Sequence, residues 1–286
     1  MTPSVSTPAG NGGSAGDESG AVSQFVSRLV VTIVALPVVL YLVYLGGWWI
    51  FALALGAALI GLHELYVMAR GLRPLVLAGY AGAIATLLGA HLGGAAWMTG
   101  GFMLTLLLAF VLYGIAETRQ TATITISSTV TPVAWIALGL GHLLLLRAIP
   151  EDGRLAVFTV LLAVFADDTA AYGVGRLIGR RKLAPTLSPG KTWEGFLAGT
   201  AVAIAVSFFA LYEEGFMEGW RSIVLGAAIA LAGAAGDLFE SALKRDLQVK
   251  DSGRLLGAHG GMLDRIDAHL FAAVAAFYVI LAFGYA

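Results

Sequence analysis

Beyond position 160 the ionisable residues gather in two stretches whose composition could do chemistry on phosphates. The first, FADDTAAYGVGRLIGRRKLAPTLSPGKTWEG (165–195), holds Asp167, Asp168, Arg180, Arg181, Lys182, Ser188, Lys191 and Glu194. The second, GDLFESALKRDLQVKDSGRLLGAHGGMLDRID (236–267), holds Asp237, Glu240, Ser241, Lys244, Arg245, Lys250, Asp251, His259, Asp264, Arg265 and Asp267. On a helix, Asp168, Tyr172, Gly175 and Gly179 share one face, Asp237, Glu240, Ser241 and Lys244 another, and Asp264 and Asp267 a third. Carboxylates converging beside cations suit a polyphosphate–metal site, because Mg²⁺ takes one or two carboxylates and completes its octahedron with phosphates and waters. Small residues and cations near a helix start suit phosphate as well. Taken alone, the first stretch also reads as an ordinary basic loop. Lys244 with Asp237 or Glu240 also reads as a helix-locking ion pair.

Gly190-Lys191-Thr192 resembles the end of a Walker A loop, but Pro185 stands where that loop needs its first glycine. The stretch is not a P-loop. What it is depends on the elements that carry it.

Those elements are membrane helices. Hydrophobic residues make up 58% of the 286 and charged residues 12%, and the mean hydropathy is +0.85; soluble domains carry about 25% charged residues. The chain has no cysteine, which excludes disulfides and thiolate metal sites. A net charge of -1 gives no attraction to nucleic acid. Residues 1–24, poor in large apolar side chains, read as a disordered tail rather than a cleavable signal peptide. Nine apolar segments then follow, near 29–46, 48–69, 75–92, 98–115, 126–146, 154–174, 194–213, 221–243 and 266–285. Pro37 and Pro132 are expected to kink or start their helices. The expected fold is an all-α polytopic bundle, with an N-terminal membrane region over 25–150 and a catalytic one over 151–286.

With the N-terminus in the cytosol, Arg147, Arg154 and Arg221 fall outside and the other 14 of the 17 basic residues inside. The positive-inside rule therefore favours N-in, C-out, with both polar stretches facing the cytosol. Glu64, beside His63 near the inner end of the second segment, reads either as an interfacial helix-end residue or as a structural contact to the basic site. His91 and His142 are given no role.

Ser241-x-Leu243-Lys244-Arg245, Lys250-Asp251-x-Gly253 and His259-Gly260-Gly261-x-x-Asp264-Arg265-x-Asp267 together resemble the signature of the phosphatidate cytidylyltransferases. The stretch SPGKTWEG resembles that family's second hallmark. One departure is Gly257-Ala258, where Pro-Gly is expected. The resemblance implies an integral protein of the cytoplasmic membrane that joins CTP to phosphatidic acid, giving CDP-diacylglycerol and pyrophosphate with Mg²⁺. It implies Asp237, Asp264 and Asp267 as metal ligands. Lys191, Lys244, Arg245 and Lys250 would neutralise phosphates, and Ser188 and His259 would donate hydrogen bonds. Asp168 would be a further ligand or orient a lysine, with Arg180, Arg181, Ser241 and Arg265 on the substrate side. A homodimer is compatible with this reading. A CTP-dependent polyprenol or phytol kinase would release CDP instead. An ion-coupled transporter should show internal repeats, and none is found. Asp152-Gly153-Arg154-Leu155-Ala156 lacks the start of the CDP-alcohol phosphotransferase motif.

Overall fold

The computed structural model describes residues 36–116, 120–249, 252–253 and 261–285. The chain divides into two units, Met1–Leu40 and Tyr41–Ala286. Of the first, residues 36–40 are described and are helical, within α1 (Leu36–Leu45). The tail expected over 1–24 lies outside the described residues.

In the second unit, α2 (Gly47–Met68) tightens into a 3₁₀ turn, Ala69–Leu72. It is followed by α3 (Val76–Ile115), whose 40 residues would extend roughly 60 Å if straight, about twice a hydrocarbon core. It is not straight. Gly94 has φ 70° and ψ −158°, a conformation that glycine adopts readily. A Cβ added at Gly82, Gly89 or Gly101 would strike Thr105, the Trp97 carbonyl or the Ala85 carbonyl respectively. The two arms therefore lie against each other as a helical hairpin, and they correspond to the segments expected at 75–92 and 98–115.

α4 (Ala122–Pro132) passes through a π-helical turn, Val133–Ala137, into α5 (Leu138–Arg147). Pro132 falls at that junction, and the Tyr66 hydroxyl donates to the Thr129 carbonyl (2.8 Å), satisfying an acceptor where the helical ladder is interrupted. α6 (Gly153–Ile178) leads to β1 (Lys182–Ala184) and β2 (Ser188–Thr192), an antiparallel pair with Lys182 opposite Thr192. This small hairpin stands where a loop is expected from the sequence. α7 (Trp193–Ala210), α8 (Trp220–Asp246) and α9 (Leu263–Ala282) complete the chain.

The fold is an all-α polytopic membrane bundle. Among the described residues, seven helices are long and apolar enough to cross a membrane, and α1 is a shorter apolar helix. The expected nine is not recovered as nine separate spans, since α3 carries two of the segments in one element.

α9 lies at the centre, with Leu263, Leu270, Ala272, Ala273, Ala276 and Ile280 buried. Gly61 faces Leu263, Gly139 faces Leu270, and Gly236 faces the Asp267 carbonyl. Lipid tails are as apolar as leucine, so helices associate through close packing, and small residues allow it. At the end away from the β-hairpin, Arg147 donates to the Val43 and Tyr44 carbonyls (3.1 and 3.2 Å). There too Arg154 lies 4.1 Å over the Tyr44 ring, and Arg221 donates to the Tyr285 hydroxyl (2.7 Å).

Candidate functional site

Two polar clusters form near the ends of α6, α8 and α9. The first surrounds a cavity of about 700 Å³ between α6, the β-hairpin, α7 and α8. α6 contributes Asp167, Asp168, Tyr172, Gly175, Arg176 and Gly179 to its wall, including all four residues expected on one face. The two helices approach through small residues. A Cβ at Gly195 would strike the Ala171 carbonyl, and one at Gly199 would strike Asp167. The β-hairpin adds Lys182, Ser188, Gly190 and Lys191, and α8 adds Asp237.

Local hydrogen bonds hold the hairpin at the start of α7. Thr192 caps that helix by accepting from Gly195 N–H (3.2 Å), as a helix-starting threonine can. Glu194 accepts from the backbone N–H groups of Arg180 (3.1 Å) and Arg181 (3.2 Å). This fixes the basic segment by its backbone and leaves both arginine residues exposed. Lys191 Nζ is ion-paired with Asp237 Oδ2, and about a quarter to a third of each side chain remains exposed. From α8, Arg245 Nε reaches the Leu187 carbonyl at the hairpin turn (3.5 Å).

The second cluster is more enclosed. Lys244 Nζ donates to Glu240 Oε2 (2.9 Å) and to Asp264 Oδ1 (2.7 Å). Asp264 Oδ2 accepts from Ser252 Oγ (2.8 Å) and Gly261 N–H (2.9 Å). Glu240 is 2% exposed, and among the described residues its buried Oε1 has no hydrogen-bond partner. Asp267, one turn beyond Asp264 on α9, is also buried, and its backbone carbonyl lies against Gly236 of α8.

The structure thus brings Asp168, Ser188, Lys191 and Asp237 to one cavity, and Lys244 and Asp264 to one hydrogen-bonded cluster. Ser241 lies on α8 between Asp237 and Lys244, half-buried, and Arg265 is exposed in the first turn of α9. Arg180 and Arg181 flank the cavity without lining it. Lys250 and His259 lie outside the described residues. Asp167, Tyr172, Arg176, Lys182, Glu240 and Ser252 join these clusters beyond the expected site residues. Helical spacing marks Tyr172 and Glu240, and Asp167 stands out only as an acidic residue beside Asp168, whereas Ser252 has no signal in the sequence. The alternatives for Glu64 resolve toward contact, since its carboxylate meets Ser252 Oγ (3.3 Å).

The donor set suits a hard divalent cation. Every candidate ligand is a carboxylate oxygen, and the carboxylates outnumber the lysines paired with them. Among the described residues, no three Asp, Glu or His side chains are gathered closely enough to hold a metal by themselves. That pattern fits Mg²⁺, which relies on one or two carboxylates with phosphates and water. Asp237 and Asp168 face the cavity, whereas both oxygens of Asp264 already accept from protein donors.

The model of the cytidylyltransferase family matches residues 26–283. The phosphatidate cytidylyltransferase of Staphylococcus haemolyticus is 32% identical over 249 residues, covering 85% of this chain and 94% of its own length. That of Brucella suis is 32% identical over 267 residues, covering 90% and 93%. The Mycobacterium bovis protein of the same name is 41% identical over 160 residues, covering 54% of this chain. The match spans 50% of that mycobacterial relative, about half its length. The family model's match, residues 26–283, runs through α2, the β-hairpin and α9 alike, so both polar clusters lie inside it: the chain belongs to the cytidylyltransferase family.

Proposed function

We propose that this chain is a CTP:phosphatidate cytidylyltransferase. A phosphate oxygen of phosphatidic acid attacks the α-phosphorus of CTP, the bond to the β-phosphate oxygen breaks, and CDP-diacylglycerol and pyrophosphate result. The observation that carries the reading is the cavity in which Lys191 and Asp237 meet beside Asp167 and Asp168, at one end of a membrane bundle. Its names in the relatives support the same activity.

A phosphate monoester has its second pKa near 6, so the lipid phosphate is already largely a dianion at neutral pH and needs no general base. The obstacle is the meeting of two polyanions. Lys191, Lys244, Arg245 and Lys250 offset that charge, and Ser188 and His259 donate hydrogen bonds to phosphate oxygens. Mg²⁺, when bound, supplies further positive charge at the attacking and leaving oxygens. Asp237 and Asp168, which line the cavity, would hold it, together with Asp267. Asp264 would join them by giving up a present hydrogen bond. Arg180, Arg181, Ser241 and Arg265 form the substrate-side rim. The catalytic region is 151–286, supported by 25–150.

The site is assigned to the cytosolic face of the cytoplasmic membrane, supported by the distribution of the 17 basic residues. Acyl chains then stay in the bilayer while CTP arrives from the cytosol. Lys182→Cys should resist an impermeant thiol reagent added outside intact cells; labelling there would reverse the orientation. For the activity, purified protein given CTP, phosphatidic acid and Mg²⁺ should release pyrophosphate. Release of CDP would instead indicate a kinase.

A further inference from the structure

We propose that Glu64 is a positioning residue for this reaction: from α2 its carboxylate fixes the first turn of α9 and, through Ser252, the Asp264 carboxylate that holds Lys244. What Asp264 and Lys244 do for substrate rests on the function proposed above; the anchoring does not.

Glu64 is 5% exposed, and a carboxylate at such a depth normally has a cation or a task. Among the described residues it makes no ion pair. Its partners are instead donors from the other end of the chain. Oε1 accepts from Met262 N–H (2.9 Å), and Oε2 accepts from Leu263 N–H (3.0 Å) and Ser252 Oγ (3.3 Å). The first N–H groups of a helix have no intrahelical acceptor, and an anion is favoured there. Met262, at the N-cap of α9, makes no side-chain cap hydrogen bond. The cap therefore comes from another helix.

Two features tie this cap to the chemistry. Ser252 Oγ has one proton and stands between Glu64 Oε2 and Asp264 Oδ2, at 3.3 and 2.8 Å. The position of one carboxylate thus bears on the hydrogen bond of the other. Gly253 and Gly261 both border the Glu64 carboxylate closely: a Cβ at Gly253 would fall on it, and one at Gly261 would fall on Ser252 Oγ and then on it. Glycine at these places is explained by the room the carboxylate needs. α2 also contacts α9 directly, so the anchor is carried on a packed helix.

The test is Glu64→Gln in the full chain. The Gln carbonyl can replace one oxygen, but its NH₂ must then face a donor. We expect kcat per folded molecule to fall about tenfold or more, a loss of about 1.4 kcal/mol, while KM for CTP stays within about twofold. Hydrogen exchange of the backbone over 261–265 should quicken. Glu64→Gln combined with Ser252→Ala should lower kcat by less than the product of the single effects, because both act on Asp264. Unchanged kcat, multiplicative effects, or unaltered exchange over 261–265 would overturn the proposal. If Glu64→Gln does not fold, Ser252→Ala alone must show the kcat loss with steady KM, and wild-type behaviour in that variant would overturn it equally. A wild-type protein that makes no pyrophosphate from CTP and phosphatidic acid refutes the proposed function; the exchange comparison still decides the anchoring.

Discussion

The two polar clusters use the same residue types in different ways. Around the cavity, Lys191 and Asp237 form one ion pair that remains partly exposed, with Asp168 on the same wall. Around α9, Asp264 accepts from Lys244, Ser252 and Gly261, and Glu64 accepts from Met262, Leu263 and Ser252. A carboxylate with spare acceptor capacity facing open space can take a new partner. One surrounded by donors holds its neighbours in place. The cavity is read as the working surface and the α9 cluster as the frame that holds Lys244 in place.

The largest effect should come from Asp237→Asn, which keeps size and removes charge at the cavity. Turnover should fall by ~10²–10³, the scale of losing one principal electrostatic contact, with little change in the melting curve in detergent. A matching loss of melting temperature would make Asp237 part of the frame instead.

Asp264→Asn should lower both quantities. The amide NH₂ must oppose either Lys244 or the Ser252 and Gly261 donors, and a buried donor left unmatched costs about 1–3 kcal/mol. Turnover per folded molecule should also drop strongly across a Mg²⁺ titration. Normal turnover and normal Mg²⁺ dependence beside a lowered melting point would confine Asp264 to a structural role and sharpen the contrast between the clusters.

Lys191→Ala should raise the CTP requirement and reduce turnover, whereas Gly190→Ala should be milder. Gly190 lies in β2 with nothing among the described residues within 4 Å of an added Cβ, so a methyl group has room there. In a Walker loop the glycine would matter as much as the lysine. Equal losses from the two substitutions would restore a P-loop reading and erase the distinction drawn here.

The smallest effect should come from Thr192→Ala, which removes the side-chain acceptor for Gly195 N–H. Loss of such a cap costs about 1 kcal/mol, measurable as a lower melting temperature. Activity per folded molecule should be retained if the hairpin is also held by Glu194.

Helical period made part of this site legible in the sequence. Asp168, Tyr172, Gly175 and Gly179 repeat at helical spacing, and all four line the cavity. The apolar runs that became α2 and the two arms of α3 were equally clear, because each is bounded by polar or glycine-rich residues. The break at Gly94 was visible only as a gap between two runs, and the β-hairpin was hidden in a segment too short for strand periodicity. The Glu64–Ser252 contact joins residues 188 apart in sequence. No local pattern announces such a pair, since what unites them is the packing of α2 on α9. Asp264, Lys244 and Gly261 all belong to the signature, but Ser252 and Glu64 do not, so the resemblance implied a metal ligand and gave no sign of the donors that surround it.

The central claim is that the cavity around Lys191 and Asp237 transfers a cytidylyl group. The most direct measurement follows radiolabel from CTP into lipid, using α-labelled and γ-labelled nucleotide in parallel with wild type and folded Asp237→Asn. The account predicts that α-label enters the lipid and γ-label leaves as pyrophosphate in wild type, and that Asp237→Asn loses nearly all α-label transfer. Entry of γ-label into lipid, or full transfer by Asp237→Asn, would contradict it.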